Sequence, residues 1–323
     1  MTSDRPLGEF GSIERYLAPL AGKGGTALDL RDDAAVFSPP EGRDLVFTKD
    51  AMVAGVHFLP DDPPALVARK LARVNLSDLA AMGAEPLGYL LALALPRGAE
   101  ESWMAGFAEG LAAEQETFGW QLWGGDTVAT PGPMTATLTA IGAVPRGHAL
   151  RRGGARPGDL IYVSGAIGDA ALGLLVRKGE LPGIAEIHAR HLEERFLLPT
   201  PRMALGPRLL GIATAAMDVS DGLAADLAHI ARASHVAAVL DLDALPLSDA
   251  ARAAVKGDPR LHDRIFGGDD YELLFTASPA RRDDLARISR DLNLPLTCIG
   301  EIETGSGVRA RDGRPLPGGY RHF

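Results

Sequence analysis

Cysteine is almost absent from this chain of 323 residues, because Cys298 stands alone. No internal disulfide is possible, which is typical of proteins from a reducing compartment. Long apolar runs are also missing: the most apolar stretch, residues 87–95, ends at Pro96 and is far shorter than the roughly 18 residues of a membrane span. Residues 1–10 are polar and contain no apolar signal core. We therefore expect a soluble, cytoplasmic protein.

Positive charge is in deficit as well. Lys and Arg total 33 against 42 Asp and Glu, so the formal net charge is −9. Nucleic acids and anionic membranes attract basic proteins, and we expect neither as a partner. An anionic small-molecule substrate would need a local device for its recognition, either bound metal ions or a focused cluster of Arg side chains.

Several common solutions to nucleotide and metal chemistry are missing from the sequence. It contains no G-x-x-x-x-G-K-[ST] loop and no H-R-D and D-F-G pair, so neither the P-loop nor the protein-kinase arrangement is used. No cluster of Cys and His with zinc-ligand spacing occurs. Any phosphate chemistry must therefore use a different set of residues.

The length of the chain and a loop-like break in its sequence indicate two domains. A chain of 323 residues exceeds what one core usually serves, and its densest break, at 145–159, crowds Gly, Pro and Arg between two strand-like runs. We place the boundary there, giving domains 1–145 and 146–323. Periodicity predicts strands at 44–56, 87–95, 134–144, 160–164, 213–217, 236–242 and 271–277, and helices at 65–82, 101–118, 168–177, 223–233 and 283–292. The predicted fold class is α/β (α+β), with two mixed-sheet domains.

Six aspartates in short, separate motifs are the most informative feature of what is present. They stand mostly beside Gly or Ser, at the ends of predicted elements: Asp33, Asp50, Asp78, Asp126, Asp218 and Asp221. If the fold brings them together, their mutual repulsion would oppose ionisation unless hard cations lie between them. The pattern therefore indicates Mg²⁺, and Mg²⁺ indicates phosphates.

Two of these aspartates lie within predicted regular elements. On the first predicted strand, alternation puts Thr48 and Asp50 on one face, a plausible oxygen pair for a hard cation, with a solvated strand end as the alternative. On the first predicted helix, Asp78 falls on the apolar stripe, with Asn75 one turn before it. A carboxylate directed at a core needs either a metal or a salt bridge to an Arg, and both interpretations stay open.

Two loop motifs add candidates. In WGGDT at 123–127 the glycines allow a phosphate to approach closely and the aspartate could hold its metal, although Gly-Gly-Asp is also ordinary turn chemistry. DVSDG at 218–222 stands where a strand gives way to a helix, the usual ligand-binding edge of an α/β sheet. Ser220 or Asp221 could instead cap that helix. Helix capping would not account for Asp218, and this further carboxylate in the motif favours a metal and phosphate site.

Two further polar residues have competing interpretations. Arg152, in an Arg-Arg-Gly-Gly run within the break, offers guanidinium donors for phosphate oxygens, or else belongs to a solvated linker. His57 follows the turn at Gly55 and is either a ligand or a histidine satisfied within its surroundings. Neither residue decides the function by itself.

Taken together, the ordered motifs resemble the thiamine-monophosphate kinase family, in the superfamily that also contains aminoimidazole ribonucleotide synthetase and selenophosphate synthetase. The matching stretches run from Gly8 to Phe323: GEFGSIERY, DDAAV, KDAMVAGVHF, NLSDLAAMGA, GGDT, RRGGARPGD, MDVSDGL, GGDDYEL and GGYRHF. This family moves the γ-phosphoryl group of ATP onto thiamine monophosphate, giving thiamine diphosphate and ADP. The resemblance implies an aminoimidazole ribonucleotide synthetase-like fold, with ATP in a cleft between an N-terminal domain that forms a homodimer and a C-terminal α/β domain.

The resemblance also implies the roles of individual residues. The Mg²⁺ ligands would be Asp33, Thr48, Asp50, Asp78, Asp126, Asp218 and Asp221, ATP would contact Gly125, Asp126, Arg152 and Ser220, and thiamine monophosphate would lie near His57, Asp269 and Tyr320. The family pattern assigns no covalent nucleophile, which implies direct in-line transfer. Two residues depart from the pattern: Lys49 stands where a hydroxyl residue often precedes the aspartate, and Asp269 is one methylene shorter than the frequent Glu.

Two other functions remain as alternatives. Another ATP-dependent synthetase of the same superfamily would act on a different acceptor, although a selenophosphate synthetase is expected to have a reactive Cys or selenocysteine near its N-terminus, far from Cys298. A nucleotide-binding regulator without catalysis would have lost acidic ligands, whereas every candidate Asp is present. The ordered motif set favours the kinase.

Overall fold

The computed structural model describes residues 9–22, 25–98 and 100–320. The chain divides into two compact units. One contains the chain up to Leu79 together with Glu85–Pro145, and the other contains Ala80–Ala84 together with the chain from Arg146 onward. Within the ranges that the structure describes, no helix is long and apolar enough to cross a membrane.

The first unit is built on a four-stranded mixed sheet. Its strands are β1 (Arg43–Val53), β2 (Glu85–Pro96), β3 (Gln121–Thr130) and β4 (Thr135–Pro145), in the order β1-β4-β2-β3. Strand β4 pairs antiparallel with β1 and β2, whereas β2 and β3 run parallel. Along β2, buried Tyr89 and Leu91 alternate with exposed Leu90, so the sheet has one core face and one outer face.

Helices cover the core face of this sheet. Short segments come first, α1 (Glu9–Ser12), a π-helical turn (Ile13–Leu17) and 3₁₀ turns (Ala18–Ala21 and Leu28–Leu30), followed by two long helices, α2 (Pro64–Ala81) and α3 (Glu101–Phe118). The fully buried Glu114 of α3 accepts hydrogen bonds from Arg69 at 2.7 Å and Arg73 at 2.9 Å, both on α2. Two guanidinium groups thus compensate one buried carboxylate and join the two helices.

The second unit contains a six-stranded mixed sheet. Its strands are β5 (Leu160–Ser164), β6 (Ala213–Asp218), β7 (Ala237–Leu240), β8 (Leu273–Ala277), β9 (Leu296–Glu303) and β10 (Gly307–Ala310), in the order β10-β7-β9-β5-β8-β6. Neighbouring strands are antiparallel except for the parallel pair β10 and β7.

Both faces of the second sheet are packed. The helices are α4 (Asp169–Arg177), α5 (Glu186–Leu197), α6 (Leu223–Ser234), α7 (Asp249–Gly257) and α8 (Arg282–Leu292), with 3₁₀ segments at Gly206–Leu209, Leu242–Ala244, Pro259–Phe266 and Pro279–Arg281. Ile161 and Val163 of β5 belong to a core formed with α4, α6 and α7, whereas Tyr162 between them belongs to a core formed with α8. Successive residues of β5 therefore point to opposite faces of the sheet and contribute to two separate cores.

All the strands and helices that the periodicity predicted are present, most with ends within two residues of the expected positions. The largest difference is β1, which ends at Val53 because the chain turns back there. The sequence patterns did not predict β3, β9, β10, α5 or α7. Strand β3 contains Gly124, Gly125 and Asp126, which are residue types of turns, and it forms because it pairs with β2.

Candidate active site

The first group of candidate metal ligands meets where β1 packs on α2. Thr48 and Asp50 lie on the core face of β1, as the alternation predicted. Thr48 Oγ1 donates a hydrogen bond to Asp78 Oδ2 on α2. The backbone N–H of Asp50 donates to Oδ1 of the fully buried Asn75 at 3.1 Å, and Asn75 Nδ2 donates to the Leu71 carbonyl at 2.9 Å. The strand and the helix are thus joined with their side-chain oxygens side by side.

A second pair of candidate ligands lies by a cavity of the first unit. Asp33 and Asp126 both line this cavity of about 690 Å³, whose other walls are largely apolar and include Phe47. The segment that follows Asp33 is held against β3 by Phe37, whose ring centroid lies 4.6 Å from that of Trp123. These two aspartates, 93 residues apart in the sequence, thus line the same cavity.

The strand register separates Asp126 from the Thr48 group. Asp50 is aligned through Leu138 of β4 and Leu91 of β2 with Gly125 of β3. Asp126 is the next residue along β3, so its side chain points to the opposite, outer face of the sheet. Three strand spacings also separate the two backbones by about 14 Å. Asp50 and Asp126 of one chain therefore do not form a common ligand shell.

Gly125 itself has a packing role. A Cβ atom on this residue would overlap the carbonyl oxygen of Leu91 on the neighbouring strand. The parallel pairing of β2 with β3 therefore requires glycine here, independently of any phosphate. Its expected contact with ATP stays a proposal.

His57 lies in the turn that follows β1. Its Nδ1 accepts a hydrogen bond from the Val53 backbone N–H at 3.1 Å, and the buried Lys70 donates to the His57 carbonyl at 3.2 Å. Since Nδ1 is an acceptor, a neutral ring has its proton on Nε2. The side chain is half-buried, so the turn fixes both its position and its tautomer.

Antiparallel pairing brings the remaining motifs to one edge of the second sheet. Strand β8 lies between β5 and β6 and runs antiparallel to both, so its start at Leu273 meets their ends at Ser164 and Asp218. The Leu273 N–H donates to Ser164 Oγ at 2.9 Å, and Asp218 is paired with Leu273. The loops 218–222 and 267–272 lie side by side because each continues from one of these paired strands.

Backbone hydrogen bonds join three of the predicted site segments at this edge. The Asp269 N–H donates to the Ser220 carbonyl at 2.8 Å, and the Tyr320 N–H donates to the Asp221 carbonyl at 2.8 Å. Ser220, Asp221, Asp269 and Tyr320 are therefore neighbours, although they span a hundred residues of sequence.

Neither Ser220 nor Asp221 caps α6, so that interpretation of the motif is wrong. The N-cap residue is Gly222, which has no side chain, and the N–H groups of Ser220, Asp221 and Gly222 all donate to Oδ2 of Asp226, at 3.0, 3.1 and 3.1 Å. Burial, reinforced by the charge of Asp221 and opposed by the three N–H groups, raises the pKa of Asp226 to about 7. A carboxylate from the first turn of the helix thus satisfies the N–H groups of the loop that leads into it, including that of the N-cap residue Gly222.

The loop that contains Asp269 has an unusual backbone. Asp269 has φ 64° and Tyr271 has φ 52°, both in the left-handed region that non-glycine residues rarely adopt. The Tyr271 N–H donates to the Val219 carbonyl at 2.8 Å, and its hydroxyl donates to Asp269 Oδ1 at 3.2 Å. Such conformations persist only where surrounding contacts enforce them, and they cluster at functional sites.

Arg152 is exposed, but its segment is docked and not a free linker. Its carbonyl accepts a hydrogen bond from Ser234 Oγ at 3.4 Å, at the end of α6. Burial lowers the pKa of His229, the positive charges of Arg152 and Arg232 lower it further, and the negative charge of Asp221 opposes them. The charges of Arg152 and Asp221 therefore act on the same imidazole ring, with opposite effects.

A buried acid lies directly behind the Asp269 loop. Asp270 Oδ1 accepts the Gly168 N–H at 2.8 Å, whereas its Oδ2 has no hydrogen-bond partner among the described residues. Burial raises the pKa of Asp270 well above its usual range, the Gly168 N–H and Arg195 oppose this, and the charge of Glu272 adds to it. This group is therefore a neutral acid over part of the pH range in which other aspartates are ionised.

Two models of AIR synthase related proteins match the chain, the N-terminal domain over residues 31–144 and the C-terminal domain over residues 156–313. The thiamine-monophosphate kinase of Salmonella typhimurium is 44% identical over 325 residues, which covers 98% of each chain. The chain belongs to the thiamine-monophosphate kinase family.

Solved structures of this kinase family share the fold. The crystal structure of thiamine-monophosphate kinase from Stenotrophomonas maltophilia superposes with a TM-score of 0.85 at 45% identity, covering 95% of this chain and 98% of that one. AaThiL, solved in complex with AMPPCP and TMP, has a TM-score of 0.79 at 32% identity and covers 100% of both chains. The predicted two-domain, mixed-sheet fold of the aminoimidazole ribonucleotide synthetase type is confirmed.

The candidate ligands of this family member suit Mg²⁺ in their chemistry. Across residues 9–22, 25–98 and 100–320, no three Asp, Glu, His or Cys side chains are grouped so that they could hold a metal ion. The oxygen donors occur in smaller sets: Thr48 lies with Asp50 and Asp78, and Asp33 and Asp126 line one cavity, whereas Asp218 ends β6 and Asp221 lies in the loop that follows it. Mg²⁺ is usually held by one or two carboxylates together with water and substrate phosphates, so the donor sets fit it.

The sequence patterns missed several buried acids of the site region. Asp226, Asp270 and Glu272 are each at most 2% exposed. A signal for Asp226 was present, because it shares one helical stripe with Leu223 and Leu227 and is the only acidic member of that stripe. The same argument that singled out Asp78 would have found it.

We predict that Asp270→Asn stabilises this kinase-family fold increasingly as the pH rises. A carboxyl whose pKa is raised on folding contributes stability that is fully present below its unfolded pKa and lost as the pH rises through the folded pKa. The amide oxygen of the variant would keep the acceptor for the Gly168 N–H without that loss. Urea unfolding between pH 5 and pH 9 should show that the unfolding free energy of the variant exceeds that of the wild type by an amount that grows with pH. A constant difference would contradict a raised pKa of Asp270.

Proposed function

We propose that this chain transfers the γ-phosphoryl group of ATP to thiamine monophosphate, giving thiamine diphosphate and ADP. The observation that carries the proposal is 44% identity to a thiamine-monophosphate kinase along 98% of each chain. A relative crystallised with AMPPCP and TMP, similar over its entire length, supports the same pair of substrates. The chain is accordingly a phosphotransferase with a phosphate group as acceptor.

Oxygen ligands for Mg²⁺ are proposed on both units. They are Asp33, Thr48, Asp50, Asp78 and Asp126 on the first unit and Asp218 and Asp221 on the second. Bound Mg²⁺ would neutralise the phosphate charges of the nucleotide and the acceptor, which a chain of net charge −9 does not do alone. The Thr48 hydroxyl holds Asp78 in place, and Asn75 holds the backbone of Asp50.

Contacts to the two substrates are proposed from the family pattern. Gly125, Asp126, Arg152 and Ser220 would contact ATP, and His57, Asp269 and Tyr320 would contact thiamine monophosphate. The geometry supports this for two of the groups: His57 has a defined tautomer, and the Tyr271 hydroxyl orients the shorter carboxylate of Asp269. Arg152 is exposed and available for a phosphate oxygen.

The proposed reaction is a direct in-line transfer. The attacking oxygen of thiamine monophosphate is already an anion at neutral pH, so no general base has to remove a proton. The bond from the γ-phosphorus to the bridging oxygen of ADP breaks as the bond to the acceptor oxygen forms. The chain contributes positioning and charge neutralisation, and no residue becomes phosphorylated.

A homodimer formed through the first unit is also proposed. Large apolar side chains are exposed on the outer face of its sheet, with Phe47 at 64%, Leu90 at 41% and Val128 at 50% exposure. Large apolar side chains exposed on one face of a sheet favour association through that face, and a two-fold dimer is the commonest way to cover it. We further propose a cytoplasmic location, where ATP is available and the single thiol of Cys298 stays reduced.

Purified protein should form thiamine diphosphate from thiamine monophosphate only when ATP and Mg²⁺ are both present. Thiamine should be a poor acceptor, because its hydroxyl needs a base that the acceptor phosphate does not. The product is measured by chromatography, with EDTA as the control. With chiral γ-thiophosphate ATP the product should be inverted at phosphorus. Efficient turnover of thiamine, or of a purine intermediate instead, would contradict the proposed function, and retention would contradict direct transfer.

Asp78→Asn and Asp126→Asn should each lower kcat by about 100-fold or more, as removal of a group that stabilises transition-state charge does. The thermal midpoint should stay close to that of the wild type. Glu109→Gln, which removes an exposed carboxylate from α3, is the matched control and should be fully active. If Asp78 instead serves a core salt bridge, its loss would cost about 3–5 kcal/mol of unfolding free energy, and the midpoint would fall.

Light scattering at micromolar concentration should give twice the chain mass of 34.0 kDa. Phe47→Lys places a charge on the proposed interface and should shift the protein toward the monomer. Ile187→Lys is the matched control, because Ile187 is equally apolar and 75% exposed but lies on α5 of the second unit. A wild-type monomer, or equal effects of the two variants, would contradict the proposed interface.

A further inference from the structure

One carboxylate oxygen organises the whole loop between β6 and α6. Asp226 Oδ2 accepts the N–H groups of three consecutive residues, Ser220 at 3.0 Å, Asp221 at 3.1 Å and Gly222 at 3.1 Å. The Asp226 side chain is part of a residue that is only 1% exposed, and its own N–H donates to the Gly222 carbonyl at 2.9 Å. Side chain and backbone of the same residue thus bind the loop from inside the helix.

The N–H groups of this loop are consequently not available to a ligand. Three converging N–H groups form a concavity that ordinarily attracts an anion such as a phosphate. Here the concavity is filled by a carboxylate of the chain itself. The loop can therefore meet a metal ion or a nucleotide only through the side chains and the carbonyl groups of residues 218–222.

The carbonyl side of the loop is fixed as well. The Ser220 carbonyl accepts the Asp269 N–H, and the Asp221 carbonyl accepts the Tyr320 N–H, each at 2.8 Å. Ser220 and Asp221 therefore have both backbone groups bound: each N–H donates to Asp226, and each carbonyl accepts from Asp269 or Tyr320. The orientation of these backbone groups determines where the Ser220 and Asp221 side chains point.

The length and the charge of the Asp226 side chain both suit this role. A shorter residue does not reach the three donors, and an amide offers them only a neutral oxygen, which is a weaker acceptor than a carboxylate. The position therefore favours a carboxylate of this length.

We propose that Asp226 is a positioning residue, which sets the backbone of residues 220–222 and thereby the directions of the Ser220 and Asp221 side chains. The ligand-binding part of this inference rests on the proposed function, because that function assigns Ser220 to ATP and Asp221 to Mg²⁺. The backbone part rests on the hydrogen bonds alone.

The first test measures amide hydrogen exchange by NMR in the ligand-free protein. In the wild type the amides of Ser220, Asp221 and Gly222 should be protected as strongly as those inside α6. In Asp226→Asn they should exchange about tenfold faster or more, as expected when a charged acceptor is lost. Asp249→Asn, at an exposed first-turn aspartate of α7, is the matched control and should change nothing at these amides.

The second test measures binding of AMPPCP with Mg²⁺ by calorimetry. Asp226→Asn should raise the Kd, and the Mg²⁺ concentration for half-saturation, by about tenfold or more, with the stoichiometry per folded chain unchanged. A residue that merely stabilised the fold would lower the active fraction and leave the Kd of the folded molecules unchanged. Asp249→Asn should bind as the wild type does.

Unprotected amides at 220–222 in the wild type would overturn the proposal, and this measurement needs no variant, so it decides the matter even if Asp226→Asn does not fold. A folded Asp226→Asn variant with wild-type exchange and wild-type Kd would overturn it as well. Failure of the wild type to form thiamine diphosphate would overturn the proposed function alone, because the exchange measurement involves no substrate.

Discussion

The antiparallel pairing of β8 with both β5 and β6 governs the geometry of the second unit. It brings the end of β6 and the start of β8 to one edge, where the loops that contain Asp218 and Asp269 continue. A shift of the strand register by one residue would move Leu274 and Phe275 each into the other's core. Both cores are already filled with buried side chains, which opposes such a shift. The register is therefore fixed by packing on both faces, and the loops inherit their positions from it.

A second constraint is the management of negative charge. Each of three buried acids has its own compensation: Glu114 meets two guanidinium groups, Glu272 meets Arg195 and Arg202, and Asp226 meets three N–H groups. The more exposed carboxylates lie in separate segments of the fold, and their separation keeps the electrostatic repulsion between them low. Within each unit these buried charges are therefore satisfied by the chain itself and need no cation.

Much of this organisation could be predicted from the sequence. Regular periodicity indicated the main strands and helices of both cores, and the ordered motifs indicated the family. Strand β3 could not be predicted, because its glycines indicate a turn and only pairing with β2 makes it a strand. The separation of Asp50 and Asp126 could not be predicted either, since it depends on strand order and register. Asp226 was visible in principle, as a carboxylate on an apolar helical stripe.

The packing of Gly125 against the Leu91 carbonyl bears on how such motifs change during evolution. The glycine is required by the contact between two strands, and that requirement continues for as long as the fold does. Any descendant that keeps this strand pairing must keep the glycine, whereas Asp126, whose side chain leaves the sheet, is not held by that contact. A glycine at this position is therefore a mark of the architecture and does not by itself indicate a ligand.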